Sequence, residues 1–507
     1  MSELVLGIDS STTATKAVLV TSVGSVVAVG VSEYDFDTPQ PGWAEQHPHL
    51  WWDATQRAVR SALHQAGAGG ADVSAVGLTG QMHGSVLLDA AGEVVRPALL
   101  WNDQRTAHEC DEIRRRVGGQ RLVDATGNDA LTGFTAPKLL WVREHEPAAW
   151  ARVAHVLLPK DYVRLRLTGE HATDVADASG TLLLDVAHRV WSTEVLDALD
   201  LDPQLLPRLV EGPAVSGVVS SMAAEVTGLR AGTPVVGGGG DQAANAVGVG
   251  AVSPRVGALS LGTSGVVFVP TATPVTQRQG RVHAFCHAVP DMWHVMGVML
   301  SAAGSLRWYR DTLAPSVAFD ELVSEAEAVE PGAEGLAFLP YLTGERTPHA
   351  DPDARGAFIG LTVRHTRAHM TRAVLEGVAF GLRDGLELMR EAGVALPDEF
   401  RASGGGTKSA LWRQIVSDVL GVPLTGIATT EGAAFGAAVL AAVGAGWFSD
   451  VAAATEAMVQ PRATTSPQRS SAYDRPYELY RSLYPALQPV VSAAAQPSGR
   501  TRGRPAG

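Results

Sequence analysis

Two cysteines, Cys110 and Cys286, are all that 507 residues contain. With no second pair and no histidine cluster at metal spacing, the sequence writes neither a disulfide framework nor a zinc motif, and a reducing cytoplasm is expected. Lysine is nearly as scarce. Of 40 basic residues only Lys16, Lys138, Lys160 and Lys408 are lysine, which leaves 36 arginines. Where arginine meets almost every need for positive charge, a compact ammonium marks a position worth watching. Positive charge is in deficit overall, 40 basic against 53 acidic residues for a formal net charge of -13. Such a chain has no field to draw in phosphate backbones or anionic lipid, so neither nucleic acid nor a membrane surface is an expected partner. The opening MSELVLGIDS has no basic region ahead of an apolar core and reads as a first strand rather than a leader. Long apolar runs are missing too. The longest, residues 432–448, has 17 residues, fewer than the roughly 20 that a spanning helix needs, and its Ala and Gly content predicts a tightly packed core helix.

What is present is enough apolar surface to fold: 46% hydrophobic and 18% charged residues. The length predicts at least two domains. Residues 4–31 give three short strands separated by SSTTA and VGS turns, and GALSLGTSGVVFV (257–269) repeats the strand, small-residue turn and strand in shorter form. Two such units about 250 residues apart suggest two related domains, expected at 1–250 and 251–490, with 491–507 a disordered tail. Helices are expected over 49–67, 157–170 and 367–393, the last with Met370, Val374 and Val378 on one face. Residues 71–89 read as strand, turn, strand, and 400–421 as strand, glycine turn, helix. Strands interleaved with helices indicate an α/β fold.

Four segments offer chemistry. IDSSTTATK (8–16) ends a strand in a carboxylate, Asp9, and follows it with hydroxyl residues and Lys16. Such a turn presents amides and hydroxyls to an anion, and Asp9 meets the same phosphates only through a cation such as Mg2+. An ordinary polar hairpin is the plainer alternative. ASGGGTKSALWRQ (402–414) places three glycines before a helix start, either to let a flat or anionic group approach or simply to cap the helix. TGQMHGSV (79–86) and LLWNDQRT (99–106) put His83, Trp101, Asn102, Asp103 and Arg105 in turns that suit a polyol, or that bury a satisfied His and Trp. GGGGDQAANAVGVG (237–250) enters a small-residue helix, unlike a linker, so Asp241 sits at a helix N-terminal turn where it is placed to accept a proton.

In order and spacing, Asp9 with SSTTATK, GGGGDQ, LGTSG and SGGGTKS resemble the two phosphate hairpins, catalytic aspartate and adenosine loop of the FGGY carbohydrate kinases. GFTAPKLLW (133–141) and RGAFIGLTVRHTRAHMTRAVLEGVAFG (355–381) resemble that family's longer signatures, and the likeness covers about residues 4–445. It implies two actin-like (ribonuclease H-like) ATPase domains with a cleft between them, and ATP-dependent phosphorylation of a sugar with Mg2+. TGQMHG, LLWNDQRT, LPKDYVRLRLTGE and YLTGERTPHADPDARG are similar to segments of members that phosphorylate D-xylulose, with ribulose, xylitol or gluconate as the alternative substrates. By the same resemblance Asp241 is the base, while Met82, His83, Asp103 and Gln242 lie at the sugar. Asp9, Thr12, Thr13, Lys16, Gly262, Thr263, Gly304, Gly405 and Ser409 fall at the nucleotide. A homodimer is a further implication. Ser11 stands where many members have Gly.

Overall fold

The computed structural model describes residues 3–429 and 431–495. Two sheets dominate, and they share one ladder pattern. In the first, β1 (Leu4–Ser10), β2 (Ala14–Thr21) and β3 (Val26–Glu33) form an antiparallel meander. Strand Val73–Gly80 adds parallel to β1, Pro234–Val236 adds parallel to Val73–Gly80, and Val215–Val218 closes the edge antiparallel. In the second, Val256–Leu261, Gly265–Thr271 and Trp293–Met299 form the meander, joined on its far side by His283–Cys286. Glu399–Ser403 and Leu424–Ile427 follow in parallel, and Pro461–Thr465 closes antiparallel. The expected repeat of the opening hairpin is therefore part of a repeat of the whole sheet.

Both faces of the first sheet are covered, which is why β1 reads as a nearly unbroken apolar run. Leu4, Leu6 and Ile8 pack with Trp51, Ala58 and Val59 of helix His49–Ala66. On the other face Val5, Val18 and Ala75 pack with Ala434, Phe435 and Ala438. Those last three belong to helix Gly432–Gly444, late in the chain. The apolar run is indeed a core helix, but the core it completes is that of the first sheet. The approach is very close: a Cβ on Gly7 would lie 1.9 Å from the Ala434 carbonyl oxygen, and one on Gly436 would lie 1.7 Å from that of Ala244. Among the described residues no helix is long and apolar enough to cross a membrane.

Three expectations change in detail. Val86–Leu88 does not return to strand Val73–Gly80 but pairs with His155–Leu157 in a small ladder of its own. The long helix, Arg367–Glu391, is buried on nearly every side rather than along one stripe. Helix Asp474–Ala495 carries the chain through the first five residues of the expected disordered tail, and 496–507 lie outside the described residues.

Candidate active site

The carboxyl ends of three parallel strands meet at one edge of the first sheet. Asp9 of β1 and Gly239 both stand opposite Thr79, and Ser10 and Gly240 both stand opposite Gly80. The next residues are Gln81, Met82 and His83 from the middle strand and Asp241 from the glycine strand. With neighbouring strands ~4.8 Å apart, Asp9 and Asp241 flank the Met82–His83 turn at backbone positions on the order of 10 Å apart. Crevices at the carboxyl ends of parallel strands are where α/β sheets bind ligands.

The four glycines exist for contact. A Cβ on Gly238, whose φ is 76°, would lie 1.8 Å from the Leu78 carbonyl oxygen. One on Gly240 would lie 2.9 Å from Met82 Sδ. Any larger residue would push the strand off its neighbour or displace Met82. Beneath the run, fully buried Arg164 donates to the carbonyls of Val236 (2.7 Å) and Gly237 (2.5 Å). Helix Asp241–Val249 then starts directly on the Asp241 carboxylate. Helix dipoles lower a carboxylate's pKa, but burial outweighs this here and pushes Asp241 up to about 6 despite the Gln242 amide at 3.2 Å. A carboxylate poised there is still mostly ionised at neutral pH and holds a proton well.

His83 is fixed rather than mobile. Its φ of 68° turns the chain sharply, and its Nδ1–H donates to the Gly180 carbonyl at 2.6 Å. Burial lowers its pKa to about 3, so the ring is neutral and Nε2 is the acceptor. Its own carbonyl accepts from Thr135 Oγ1 and Lys138 Nζ, both at 3.0 Å. Lys138 also donates to the Gly133 carbonyl at 2.5 Å, and burial brings its pKa down to about 7. Lys160 serves the same turn at one remove. Fully buried, it lies 2.7 Å from Asp161, 2.7 Å from Asp174 and 3.1 Å from Asp177. Asp174 caps helix Val175–Ser179, which delivers the Gly180 carbonyl.

Asp9 keeps one oxygen, Oδ1, buried without a hydrogen-bond partner. Burial first and Asp241 second push its pKa up to about 7, and Lys16 only partly offsets them. Thr12 donates to Gln81 (3.3 Å) and accepts from the Trp101 indole (3.0 Å), tying the hydroxyl hairpin to both polar turns, while Thr13 is exposed.

Two expected site residues are otherwise engaged. The Asp103 carboxylate is fully buried, accepting from the Ala44 amide (2.7 Å) and forked by the Arg105 guanidinium, Nη2 at 2.7 Å. It organises the turn and is not presented to a ligand. The Lys16 ammonium, expected at phosphates, pairs at 2.9 Å with Glu431 from the far end of the chain. Gln81, Arg164 and the Lys160 cluster carry no signal of a site role in the sequence beyond the rarity of lysine.

The second sheet offers the same edge with different chemistry. Ser260 stands opposite Ser403, so the LGTSG turn and the SGGGTKS turn leave adjacent parallel strands side by side. They open on a cavity of about 780 Å³ that Gly262, Thr263, Gly405 and Ser409 help to line, with Leu306, Phe319 and Leu411 as its apolar wall. Ser409 Oγ caps helix Ala410–Leu420 through the Trp412 amide (3.1 Å). Gly304 sits behind the turn, where a Cβ would lie 2.9 Å from the Thr263 carbonyl oxygen.

One sheet edge thus carries Asp9 and Asp241 on either side of a turn with a neutral histidine, and the matching edge of the second sheet carries a glycine-lined cavity. Residues 4–248 match the N-terminal domain model of the FGGY family of carbohydrate kinases, and 257–445 match its C-terminal domain model. The chain belongs to that family. It is 43% identical over 491 residues to xylulose kinase of Escherichia coli, covering 96% of this chain and 100% of that protein. Its fold matches the crystal structure of xylulose kinase from Rhodospirillum rubrum with a TM-score of 0.90 at 34% identity, over 97% of this chain and 100% of that one. Gluconate kinase from Lactobacillus acidophilus matches with a TM-score of 0.92 at 26% identity, over 98% and 100%. FGGY carbohydrate kinases are ATP-dependent phosphotransferases, with two domains of the actin-like ATPase fold, and this chain is one.

Proposed function

We propose that this chain transfers the γ-phosphoryl group of ATP to the terminal hydroxyl of D-xylulose, with Asp241 as general base. The observation that carries the reading is Asp241 itself: partly buried, raised to about 6, and on the first turn of a helix whose preceding strand lies against the Met82–His83 turn. The xylulose kinases of similar sequence support the sugar. His83 Nε2 accepts from one substrate hydroxyl, the apolar Met82 side chain gives the carbon skeleton a surface, and Gln242 holds the Asp241 carboxylate in line. Asp241 takes the proton as the substrate oxygen attacks the γ-phosphorus, and the amides and hydroxyls of the Thr12–Thr13 and Gly262–Thr263 turns receive the spreading phosphoryl charge. The adenosine end fits the cavity at Gly405 and Ser409.

The orphaned Oδ1 of Asp9 fits a hard cation, since Mg2+ takes carboxylate oxygen directly or through water. Bound there, Mg2+ neutralises phosphate charge. Asp9 then serves metal and phosphate while Asp241 serves the sugar. A division near residue 250 separates a sugar half, 1–250, from a nucleotide half, 251–490. A homodimer in the cytoplasm completes the reading, checked by sedimentation and by cell fractionation.

An ADP-release assay tests the whole. D-Xylulose should stimulate release in the wild type and fail to do so in Asp241→Asn. The gluconate kinase, with a TM-score of 0.92 against 0.90 for the xylulose kinase, favours one rival substrate. A preference above tenfold in kcat/KM for gluconate, ribulose or xylitol would replace D-xylulose in the proposal.

A further inference from the structure

We propose a second, unrelated cation site on the outside of the first half: a zinc-class divalent ion held by His108, Glu109 and Glu144, with His145 beside them. Helix Ala107–Ile113 brings a His–Glu pair and helix Thr135–His145 ends on a Glu–His pair. One donor atom each from His108, Glu109 and Glu144 lie within 4.8 Å of one another. The two pairs are far apart in the chain, so no sequence spacing announces them.

Glu109 is the decisive member. Its side chain is 2% exposed, and both carboxylate oxygens are buried without a hydrogen-bond partner. A buried carboxylate left in that state is strongly unfavourable unless a cation meets it. What does face it is imidazole: His145 Nε2 at 3.4 Å and His108 Nδ1 at 3.9 Å from the same oxygen. A tetrahedral zinc ion with bonds of about 2.0–2.1 Å spaces its ligand atoms about 3.3 Å apart. His145 already stands at that spacing from the Glu109 oxygen and His108 lies 3.9 Å from it, while the full set of His108, Glu109 and Glu144, within 4.8 Å, would draw in around the ion. His108, Glu109 and Glu144 line a cavity of about 270 Å³.

Two arginines share its rim and oppose a cation, but both are turned to other acceptors. Arg143 donates to the carbonyls of Leu199 (2.8 Å) and Asp200 (3.1 Å), and Arg116 pairs with Asp200 and Glu112. Imidazole with carboxylate selects Zn2+ over Mg2+ and Ca2+, which take all-oxygen sites. An ion here joins helix Ala107–Ile113 to the helix whose first turns carry Thr135 and Lys138, the two groups that hold the His83 carbonyl. Metal loading therefore braces the sugar turn from outside the active site.

The test uses the full chain after chelator treatment, titrated with ZnCl2 by calorimetry and followed by thermal melting. The wild type should take up about one Zn2+ per chain and melt at a higher temperature, by a margin that equal MgCl2 or CaCl2 does not reproduce and that His108→Ala removes. Glu109→Gln, which removes the buried charge, and His108→Ala, at an exposed position, should each weaken Zn2+ binding at least tenfold. If Glu109→Gln does not fold, His108→Ala decides alone. No stoichiometric uptake by the wild type overturns the site, as does Zn2+ binding that both variants, or the one that folds, retain unchanged.

Discussion

The two sheets are built on one plan and equipped oppositely. At the edge where parallel strands end, the first sheet presents side chains: Asp9, the Met82–His83 turn and Asp241. The second presents backbone: Gly262, Gly405 and Gly406 around a cavity, with Ser409 spent on a helix cap. A sugar is told from its isomers by the placement of hydroxyls, which calls for directional acceptors held rigid. A polyphosphate and a flat base call for close approach and many amides. In the function proposed above, the duplicated frame serves two ligands because the residues after each strand differ, while the strands scarcely do.

The sharpest way to break this contrast is at Asp241. Asp241→Asn should lower kcat by about 100-fold or more, measured by steady-state ADP release; retention of over a tenth of the activity would remove the base from the mechanism. The same variant should be more stable. A carboxyl raised from 3.8 to about 6 on folding destabilises the native state progressively as pH rises from about 4 to 6 and fully above that. Removing its charge should therefore return up to ~3 kcal/mol at pH 8, and nothing below pH 4, as read from melting curves. Next in size is the junction between the halves. Gly436→Val forces a side chain into the Ala244 carbonyl and should destabilise the chain by about 2–3 kcal/mol in denaturant unfolding.

Smaller effects should separate by ligand. Lys138→Met removes the ammonium from the His83 and Gly133 carbonyls and should raise the sugar KM about tenfold, leaving the ATP KM within about twofold. Gly405 has open space where a Cβ would point. Gly405→Ala should leave melting unchanged and raise only the ATP KM, by a few-fold. An equal shift in both KM values for either variant would dissolve the division of labour between the sheets.

Much of this was legible along the chain. Strand periodicity, the hydroxyl and glycine turns and the capped helices are local, and local chemistry decides them. What a side chain does once there is not local. Asp103 looked like a polar handle because its turn is polar, but its acceptors are taken by Arg105 and by the Ala44 amide. Lys16 sits opposite Asp9 in the hairpin register, as an anion site requires, yet Glu431, which claims it, comes from the other half. The rarity of lysine marked Lys138 and Lys160, and only the fold shows that both are buried supports of one turn. Residues 432–448 announced a core helix without saying whose core.

That helix has a consequence for how the protein is made. The inner face of β1 is made about 430 residues ahead of its cover and stays bare until residues 434–442 emerge. A nascent chain stopped near residue 250 should therefore expose a greasy sheet to chaperones, and the first half should become protease-resistant only when the second is nearly complete.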